Sequence, residues 1–334
     1  MTKRVRTLVT GVAGFIGSFV AQQLLERGDS VLGLDNLNDY YDPELKRARL
    51  ARLQHFRADS QFVFEQIDIV DRDAIAHLFS RNAIESVVHL AAQAGVRHSI
   101  THPQDYVDSN VTGFLNMLQA VRERPVRHFV YASSSSVYGG NTKLPFSESD
   151  RVDRPVSLYA ATKRTNEQMA YVYSWQFGVP ATGLRFFTVY GPWGRPDMAT
   201  FKFTKAILAG EPIDVYNHGD MRRDFTYVDD IATGVLKVLD RVPEKDSDGL
   251  PQRVYNIGNH RSESLLRFIE VLSSALGRKA EMRLLPMQMG DVKETFADIA
   301  SLSHDYGWAP TTTIDVGLPR FVEWYREYYG RSAS

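Results

Sequence analysis

The sequence predicts an α/β protein in which a doubly wound parallel sheet is joined to a smaller, discontinuous α+β domain. Three observations support this prediction. Short apolar, β-branched runs alternate with helical patterns, a glycine-rich turn follows the first run, and an acidic residue ends the second. The alternation weakens after residue 190, so we expect residues 1–190, with return segments near 225–260, to form the larger domain. Residues 191–224 and 261–334 should form most of the smaller one.

Composition narrows the class of protein. The 334 residues are 43% hydrophobic and 24% charged, with a formal net charge of -1, which gives no reason to expect nucleic acid or a membrane as partner. The chain has no cysteine, so disulfides and thiolate nucleophiles are excluded. The nine histidines show no ligand spacing, and we predict no metal site. The N-terminal residues run into a predicted strand without an apolar signal region, which favours a cytoplasmic protein.

The first predicted element is a strand at residues 4–10, and it leads into a turn that contains Gly11, Gly14 and Gly17. A helical pattern follows and closes at Gly28. Strand, glycine turn and helix N-terminus together favour a phosphate-binding site, because glycines let the backbone approach a pyrophosphate and the helix offers free N–H groups. The larger domain is therefore predicted to be a dinucleotide-binding domain of the Rossmann type.

The second predicted strand, VLGLD, ends at Asp35. An acid at this position accepts hydrogen bonds from an adenosine ribose, and its charge repels a 2′-phosphate. No arginine follows it, since Asn36 and Leu37 come next. The sequence therefore predicts NAD rather than NADP as cofactor.

The alternation continues with strands near 62–67, 86–90, 128–132 and 181–187 and helices near 72–79 and 103–121. The less regular part contains helices near 201–209, 264–275 and 316–329, and a strand at 253–259 that should return to the sheet. Small residues at 91–95 suit a loop that runs close beneath a cofactor. Candidate cofactor-binding residues are Gly11, Gly14, Phe15, Ile16, Gly17, Asp35, Asn36, Asp68, Ile69, Leu90, Ala91, Ala92, Gln93 and Asn110, with Tyr159 and Lys163 from the stretch described next.

The stretch SLYAATK places Tyr159 and Lys163 four residues apart, on one face of a predicted helix. A nearby ammonium favours a phenolate, which lowers a tyrosine pKa that is ordinarily about 10. Such a phenolate can take a proton from a sugar or alcohol hydroxyl, so this pair is the predicted acid/base.

These motifs occur in the order found in the extended short-chain dehydrogenase/reductase family, which the chain resembles over essentially its whole length. Within that family it is most similar to the UDP-glucuronate 4-epimerases. The resemblance rests on long strings: NLNDYYDPELKRARL at 36–50, LAAQAGVRHS, YASSSSVYGGN, SLYAATKRTNE, GLRFFTVYGPWGRPDMA and RRDFTYVDDI. It implies NAD as a tightly held cofactor, a UDP-sugar as substrate and a homodimer, formed through the helices near 103–121 and 157–177.

The resemblance also implies roles for three catalytic residues. Tyr159 would take the proton of the sugar 4-hydroxyl while C4 gives its hydride to NAD. Lys163 would lower the pKa of Tyr159 and hold the nicotinamide ribose, and Ser134 would bond the same sugar oxygen. The 4-keto sugar would then turn over and take the hydride back on its opposite face.

A glucuronate oxidised at C4 is a β-keto acid, which loses carbon dioxide unless the breaking C–C bond stays out of line with the carbonyl π system. Ser135, Ser136, Thr188 and Arg195 form the predicted carboxylate clamp, because arginine can bind a carboxylate through two hydrogen bonds. The family pattern implies that Arg223 binds the pyrophosphate and Asp291 the uridine ribose, with the substrate-binding residue Gln288 in the same loop as Asp291 and Tyr216 against uracil. Met289 stands where relatives carry proline.

Other activities remain open at this point. Sugar-nucleotide dehydratases and UDP-glucuronate decarboxylases carry acids near the positions of Ser135 and Ser136, which counts against both. A 4-epimerase of a neutral UDP-sugar, such as glucose or N-acetylglucosamine, is the main alternative. A non-catalytic nucleotide-sugar sensor on the same fold is the alternative from a different class.

Overall fold

The computed structural model describes residues 6–57, 61–246, 248–288 and 292–330. The strands are β1 (Arg6–Thr10), β2 (Ser30–Asp35), β3 (Phe62–Gln66), β4 (Ser86–His89), β5 (His128–Ser134), β6 (Ala181–Phe186), β7 (Thr188–Tyr190), β8 (Ile213–Val215), β9 (Arg222–Arg223), β10 (Phe225–Tyr227), β11 (Gln252–Ile257), β12 (Glu263–Ser264) and β13 (Met282–Leu284). The helices are α1 (Phe15–Glu26), α2 (Pro43–Ala51), α3 (Arg72–Arg81), α4 (His98–Thr101), α5 (Pro103–Val107), α6 (Phe114–Glu123), α7 (Leu158–Phe177), α8 (Ala199–Ala209), α9 (Val228–Asp240), α10 (Leu265–Leu276), α11 (Ala300–Tyr306) and α12 (Ile314–Gly330).

The central sheet has seven strands in the order β11-β6-β5-β4-β1-β2-β3. Every neighbouring pair is parallel. The chain winds outward from β1 in both directions, so the sheet has a switch point between β1 and β4, where ligands bind in open α/β sheets. The predicted doubly wound fold is confirmed, including the return of the segment near 253–259 as β11.

Two apolar clusters cover the two faces of this sheet. One joins it to α1 and α9, and the other joins it to α3, α6 and α7. A third cluster is built mainly from β8, β10, α8, α10 and α12. It takes in Leu45 of α2, so that helix packs against the C-terminal segments. No helix in the described part of the chain is long and apolar enough to cross a bilayer.

Helix α9 was not predicted from the sequence. It begins at Val228, directly after β10. The residue before it, Tyr227, does not cap the helix with its side chain, so the usual Ser, Thr, Asp or Asn start signal is missing. Helices α2 and α11 were also not predicted. The long helix expected at 103–121 is divided by a wider π-helical turn at Asp108–Gly113, which brings Asn110 toward the loop after β4.

Helix α7 is fixed to the sheet by a buried ion pair. Glu167 accepts hydrogen bonds from Arg185 of β6 at 2.8 and 3.0 Å, and from the Ser133 hydroxyl at 2.6 Å. The side chains of Glu167 and Arg185 are 1% and 4% exposed. These bonds hold the first turns of α7 beside the end of β5, which is where Tyr159 and Ser134 meet.

Candidate active site

One cavity of about 1180 Å³ lies at the carboxyl ends of the central strands. It exceeds the roughly 300–1,000 Å³ of ordinary ligand pockets, and its length from Asp35 to Arg223 gives room for a dinucleotide and a second ligand. Most of the predicted site residues line it. They are Gly11, Gly14, Phe15, Ile16, Gly17, Asp35, Asn36, Asp68, Ile69, Leu90, Ala91, Ala92, Gln93, Ser134, Ser135, Ser136, Tyr159, Lys163, Thr188, Arg195, Tyr216 and Arg223.

The glycine turn has the geometry that a pyrophosphate needs. Gly11 has φ +71°, and a Cβ atom built on it would lie 2.8 Å from the backbone nitrogen of Ala91. A Cβ on Gly17 would lie 2.1 Å from the Gly11 carbonyl oxygen, so the turn packs too tightly for any side chain. Gly14 precedes α1, and no side chain caps the helix. The free N–H groups of its first turn therefore face the cavity and fit a dinucleotide pyrophosphate.

Two acids lie next along the cavity, Asp35 at the end of β2 and Asp68 shortly after β3. Asp35 accepts the backbone N–H groups of Ala13 and Leu37 at 3.1 and 2.9 Å, which fixes its carboxylate beside the glycine turn. Burial raises the pKa of Asp35. Asp68 accepts hydrogen bonds from the Asn36 side chain and from the Val70 backbone, both at 2.9 Å. The helix that follows is capped by Asp71 instead, so Asp68 is not a helix cap.

Asn110 stands behind the cavity wall. It is 2% exposed and bonds the backbone N–H and carbonyl of Gln93 at 2.8 and 2.9 Å and the Thr162 hydroxyl at 3.0 Å. These bonds tie the loop after β4 to α7. The structure therefore gives Asn110 a role in holding the wall, and its predicted contact with the cofactor stays a prediction.

Tyr159 and Ser134 meet at the end of β5. The Ser134 oxygen accepts the Ser136 hydroxyl at 2.9 Å and the Ser136 N–H at 3.2 Å, which leaves the Ser134 hydroxyl free to donate to Tyr159. Burial raises the pKa of Tyr159, while the hydrogen bond with Ser134 and the positive charge of Arg195 lower it. A group positioned in this way can accept and return a proton at one substrate hydroxyl.

Lys163 of α7 is buried and bonded to β5. Its ammonium donates to the Ala132 carbonyl at 2.9 Å, and burial lowers its pKa to about 7. The interactions that lower the pKa of Tyr159 come from Ser134 and Arg195, and the predicted effect of Lys163 on that pKa stays a prediction. Its role in holding a nicotinamide ribose stays a prediction, to which its place in the cavity wall is suited.

Arg195 projects into the same cavity from the loop after β7. It forms a two-point ion pair with Asp197, whose other partner is the Tyr40 hydroxyl at 3.1 Å. The charge of Asp197 raises the pKa of Arg195 against the effect of burial, so the guanidinium stays charged. Gly95 makes room for the Tyr40 hydroxyl that bonds Asp197, because a Cβ atom on Gly95 would lie 2.9 Å from the Tyr40 oxygen. Ser135, Ser136 and Thr188 line the cavity beside it.

The predicted nucleotide end is described only in part. Tyr216 and Arg223 line the cavity, and the Arg97 guanidinium lies 5.2 Å from the centre of the Tyr216 ring. Gln288 does not line the cavity, and its side-chain oxygen is buried without a hydrogen bond from the described residues. Asp291 and Met289 lie outside the described residues.

Several cavity residues were not predicted from the sequence. Tyr40 reaches the site from the segment after β2 and Lys46 from α2. Arg97 and His98 reach it from the start of α4, and Asp197 from the loop of Arg195. The signal for two of them was present, because Tyr40 and Lys46 belong to the string at 36–50 that carried the family resemblance. Among the described residues, no three His, Asp or Glu side chains converge as metal ligands would.

A switch-point cavity with an uncapped glycine turn and a Ser, Tyr and Lys set defines a dinucleotide-dependent enzyme of the extended short-chain dehydrogenase/reductase class. The profile of the NAD dependent epimerase/dehydratase family matches residues 7–258. The chain belongs to this family, whose description names the cofactor that Asp35 predicted.

Relatives and solved structures agree with this assignment. The chain is 48% identical to Protein CapI of Staphylococcus aureus, over 97% of this chain and 99% of the relative. It is 48% identical to UDP-glucuronate 4-epimerase 1 of Arabidopsis thaliana, over 98% of this chain and 78% of the relative. Among solved structures, UDP-glucuronic acid 4-epimerase from Bacillus cereus, in complex with UDP-glucuronic acid and NAD, matches with a TM-score of 0.89 and 34% identity. The match covers 97% of this chain and 100% of that chain. A tyrosine-to-phenylalanine mutant of that enzyme matches with a TM-score of 0.88, 33% identity and the same coverage.

Proposed function

We propose that this protein is an NAD-dependent 4-epimerase that interconverts UDP-glucuronate and UDP-galacturonate through a transient 4-keto sugar. The observation that carries the proposal is a single cavity that brings Tyr159, Ser134 and the Arg195 cation together with an open dinucleotide turn. The glucuronate epimerases among the relatives and matched structures support it.

The residues divide the chemistry among them. When bound, NAD accepts a hydride from the sugar C4 and later returns it. Tyr159 takes the proton of the 4-hydroxyl as the C4 hydride leaves, and Ser134 holds the same oxygen through its hydrogen bond. The 4-keto sugar then turns its other face to the cofactor, and Tyr159 gives the proton back to the oxygen as the hydride returns. Proton and hydride are both restored, so the reaction consumes no cofactor.

Arg195 is the group that favours an acidic sugar. A guanidinium held by Asp197 still presents donor groups to the cavity, and the hydroxyls of Ser135, Ser136 and Thr188 stand nearby. Together they can bind the carboxylate of glucuronate and hold the C5–C6 bond away from the C4 carbonyl π system. A neutral sugar would leave this cation without a partner of opposite charge from the ligand.

The alternatives differ in product. A neutral-sugar epimerase would act on UDP-glucose or UDP-N-acetylglucosamine without need of Arg195. A decarboxylase or a dehydratase needs an additional acid/base group, and Ser135 and Ser136 supply none. A sensor would bind UDP-sugars and convert none of them.

The experiment that tests the proposal is incubation of the purified protein with UDP-glucuronate, without added cofactor, followed by proton NMR. We expect UDP-galacturonate and no UDP-pentose, because the cofactor copurifies and is regenerated in each cycle. UDP-xylose or its 4-keto precursor would identify a decarboxylase. No reaction even after NAD is added, with either acidic or neutral UDP-sugars, would contradict an enzymatic function.

A homodimer is part of the proposal, and the exposed apolar surface of α7 supports it. Tyr171, Val172 and Trp175 lie on one face of α7, and Trp175 is 60% exposed. Leu115 of α6 and Val107 of α5 are exposed apolar residues on the helices that pack against α7. Exposed apolar residues collected on neighbouring helices commonly mark a protein interface. A second copy would bury this surface by pairing the same helices.

We expect Trp175→Glu to convert the dimer into a monomer, because it places a charge in the centre of the proposed interface. Sedimentation velocity measures the change, with Val316→Glu as the matched control. Val316 is also an exposed apolar residue, 45% accessible, and lies on α12. A Trp175→Glu protein that sediments like the unmodified one would contradict the proposed interface.

Two further parts of the proposal concern organisation and location. We propose that residues 1–190, with the return segments near 225–260, bind the cofactor and that 191–224 and 261–334 mainly bind the UDP-sugar. The third apolar cluster, centred on α8, α10 and α12, supports this division. We also propose a cytoplasmic location, which cell fractionation tests.

A further inference from the structure

Arg49 of α2 is a buried arginine whose hydrogen bonds all go to uncharged oxygens. Its side chain is inaccessible, and the Asp35 carboxylate lies close enough to interact with its charge. It donates to the Ala13 carbonyl at 3.1 Å, the Tyr41 hydroxyl at 2.6 Å, the Trp193 carbonyl at 2.7 and 3.0 Å and the Gly194 carbonyl at 3.1 Å. A buried cation is costly unless it is compensated, and here five hydrogen bonds and the nearby charge of Asp35 compensate it.

Two of the segments that Arg49 joins belong to different parts of the site. Ala13 lies in the glycine turn, between Gly11 and Gly14, and its N–H also bonds Asp35. Trp193 and Gly194 directly precede Arg195, the predicted carboxylate ligand. One planar guanidinium therefore bonds both the turn that would bind the cofactor and the loop that carries the sugar-binding cation. A lysine ammonium has three donors on one atom and cannot reach all of these acceptors at once.

The loop before Arg195 has a conformation that needs such a support. Trp193 has φ +62°, a left-handed conformation that is unfavourable for a side chain of its size. In this conformation the Trp193 and Gly194 carbonyls both turn toward Arg49. The Trp193 ring packs against Trp324 and Tyr328 of α12, at 5.3 and 5.2 Å between ring centres. Arg49 thus holds the backbone of a strained loop whose next side chain enters the cavity.

We propose that Arg49 is a positioning residue that couples the cofactor-binding turn to the Arg195 loop and thereby keeps epimerisation free of decarboxylation. This inference rests on the proposed function. If the loop relaxes, Arg195 no longer holds the carboxylate out of line at the 4-keto stage. The C5–C6 bond then breaks, its electron pair forms an enolate with the C4 carbonyl, and carbon dioxide leaves. A proton from water adds at C5, and return of the hydride to C4 gives a UDP-pentose.

The test compares Arg49→Lys with Arg52→Lys. Arg52 is the matched control because it also lies against Trp193, with its guanidinium 5.0 Å from the ring centre, but it bonds none of the three backbone carbonyls. Each protein is freed of loose ligand by gel filtration, its retained NAD is released and measured, and its products from UDP-glucuronate are followed by proton NMR.

We expect Arg49→Lys to retain less than about half of the NAD of the unmodified protein and to turn over about 10- to 100-fold more slowly, since small displacements of binding groups have effects of this size. UDP-pentose, which we expect to be absent from the products of the unmodified protein, should become detectable among the products of Arg49→Lys. Arg52→Lys should match the unmodified protein in NAD content and product ratio. A general loss of stability would slow turnover but would not change the product ratio.

An unchanged product ratio in folded Arg49→Lys would overturn the proposal, as would unchanged NAD retention. If that variant fails to fold, Tyr41→Phe removes one Arg49 bond and should shift both readouts in the same direction by a smaller factor. If the unmodified protein leaves UDP-glucuronate unchanged, the proposed function fails by itself. NAD retention in the two lysine variants then still decides whether Arg49 supports the cofactor turn.

Discussion

Replacing Tyr159 with phenylalanine should reduce turnover of UDP-glucuronate by about 100- to 10,000-fold, the range associated with the loss of a positioned general acid or base. The change removes one oxygen and leaves the ring, which packs edge-on to Tyr106 at 6.0 Å between ring centres. The fold and the affinity for UDP-sugars should therefore be retained. Single-turnover kinetics and isothermal titration with UDP-glucuronate measure the two effects separately.

Ser134→Ala provides the companion measurement. The hydrogen bond from Ser134 lowers the pKa of Tyr159, so its removal should raise that pKa. The acid limb of the profile of kcat/KM against pH should then shift to higher pH, because more alkaline conditions are needed to form the phenolate. Near-normal turnover in Tyr159→Phe would eliminate Tyr159 as the acid/base. An unshifted profile in Ser134→Ala would remove Ser134 from the tuning of its pKa.

Local sequence patterns were sufficient to predict that the glycine turn, Asp35 and the small residues at 91–95 line one cavity. The glycine turn, Asp35 and the small residues at 91–95 follow strands directly, and the carboxyl ends of parallel strands meet at one edge of a sheet. The four-residue spacing of Tyr159 and Lys163 places both side chains on one face as soon as the segment forms a helix. Position along the chain thus determined which of these residues would share the cavity.

Roles that depend on packing between distant segments could not be predicted in this way. The hydrogen bonds of Asn110 to the Gln93 backbone depend on the π-helical turn that contains it, and no sequence pattern indicated that turn. The lowered pKa of Lys163 arises from burial, which a motif does not reveal. Arg49 looks like an ordinary charged helix residue until α2 is packed beneath the loop at 193–195, almost 150 positions further along the chain.

Arg195→Ala should have the largest effect on substrate choice. Loss of the cation removes the proposed charge-assisted contact with the glucuronate carboxylate, and we expect kcat/KM for UDP-glucuronate to fall about 100-fold. Conversion of neutral UDP-glucose, if present, should change by less than about threefold. Any UDP-glucuronate that still reacts should give a raised share of UDP-pentose, because the C5–C6 bond is no longer held out of line.

The experiment must separate the loss of the Arg195 cation from the effect of the Asp197 charge that remains in the cavity. Asp197 pairs with Arg195, and in the single variant its carboxylate would stand alone and repel the substrate. The double variant Arg195→Ala, Asp197→Asn removes that repulsion while keeping the Tyr40 contact possible. If Arg195 binds the carboxylate, the double variant stays selective against UDP-glucuronate. If repulsion by Asp197 caused the loss, the double variant recovers, and the carboxylate contact must then be assigned to Ser135, Ser136 and Thr188.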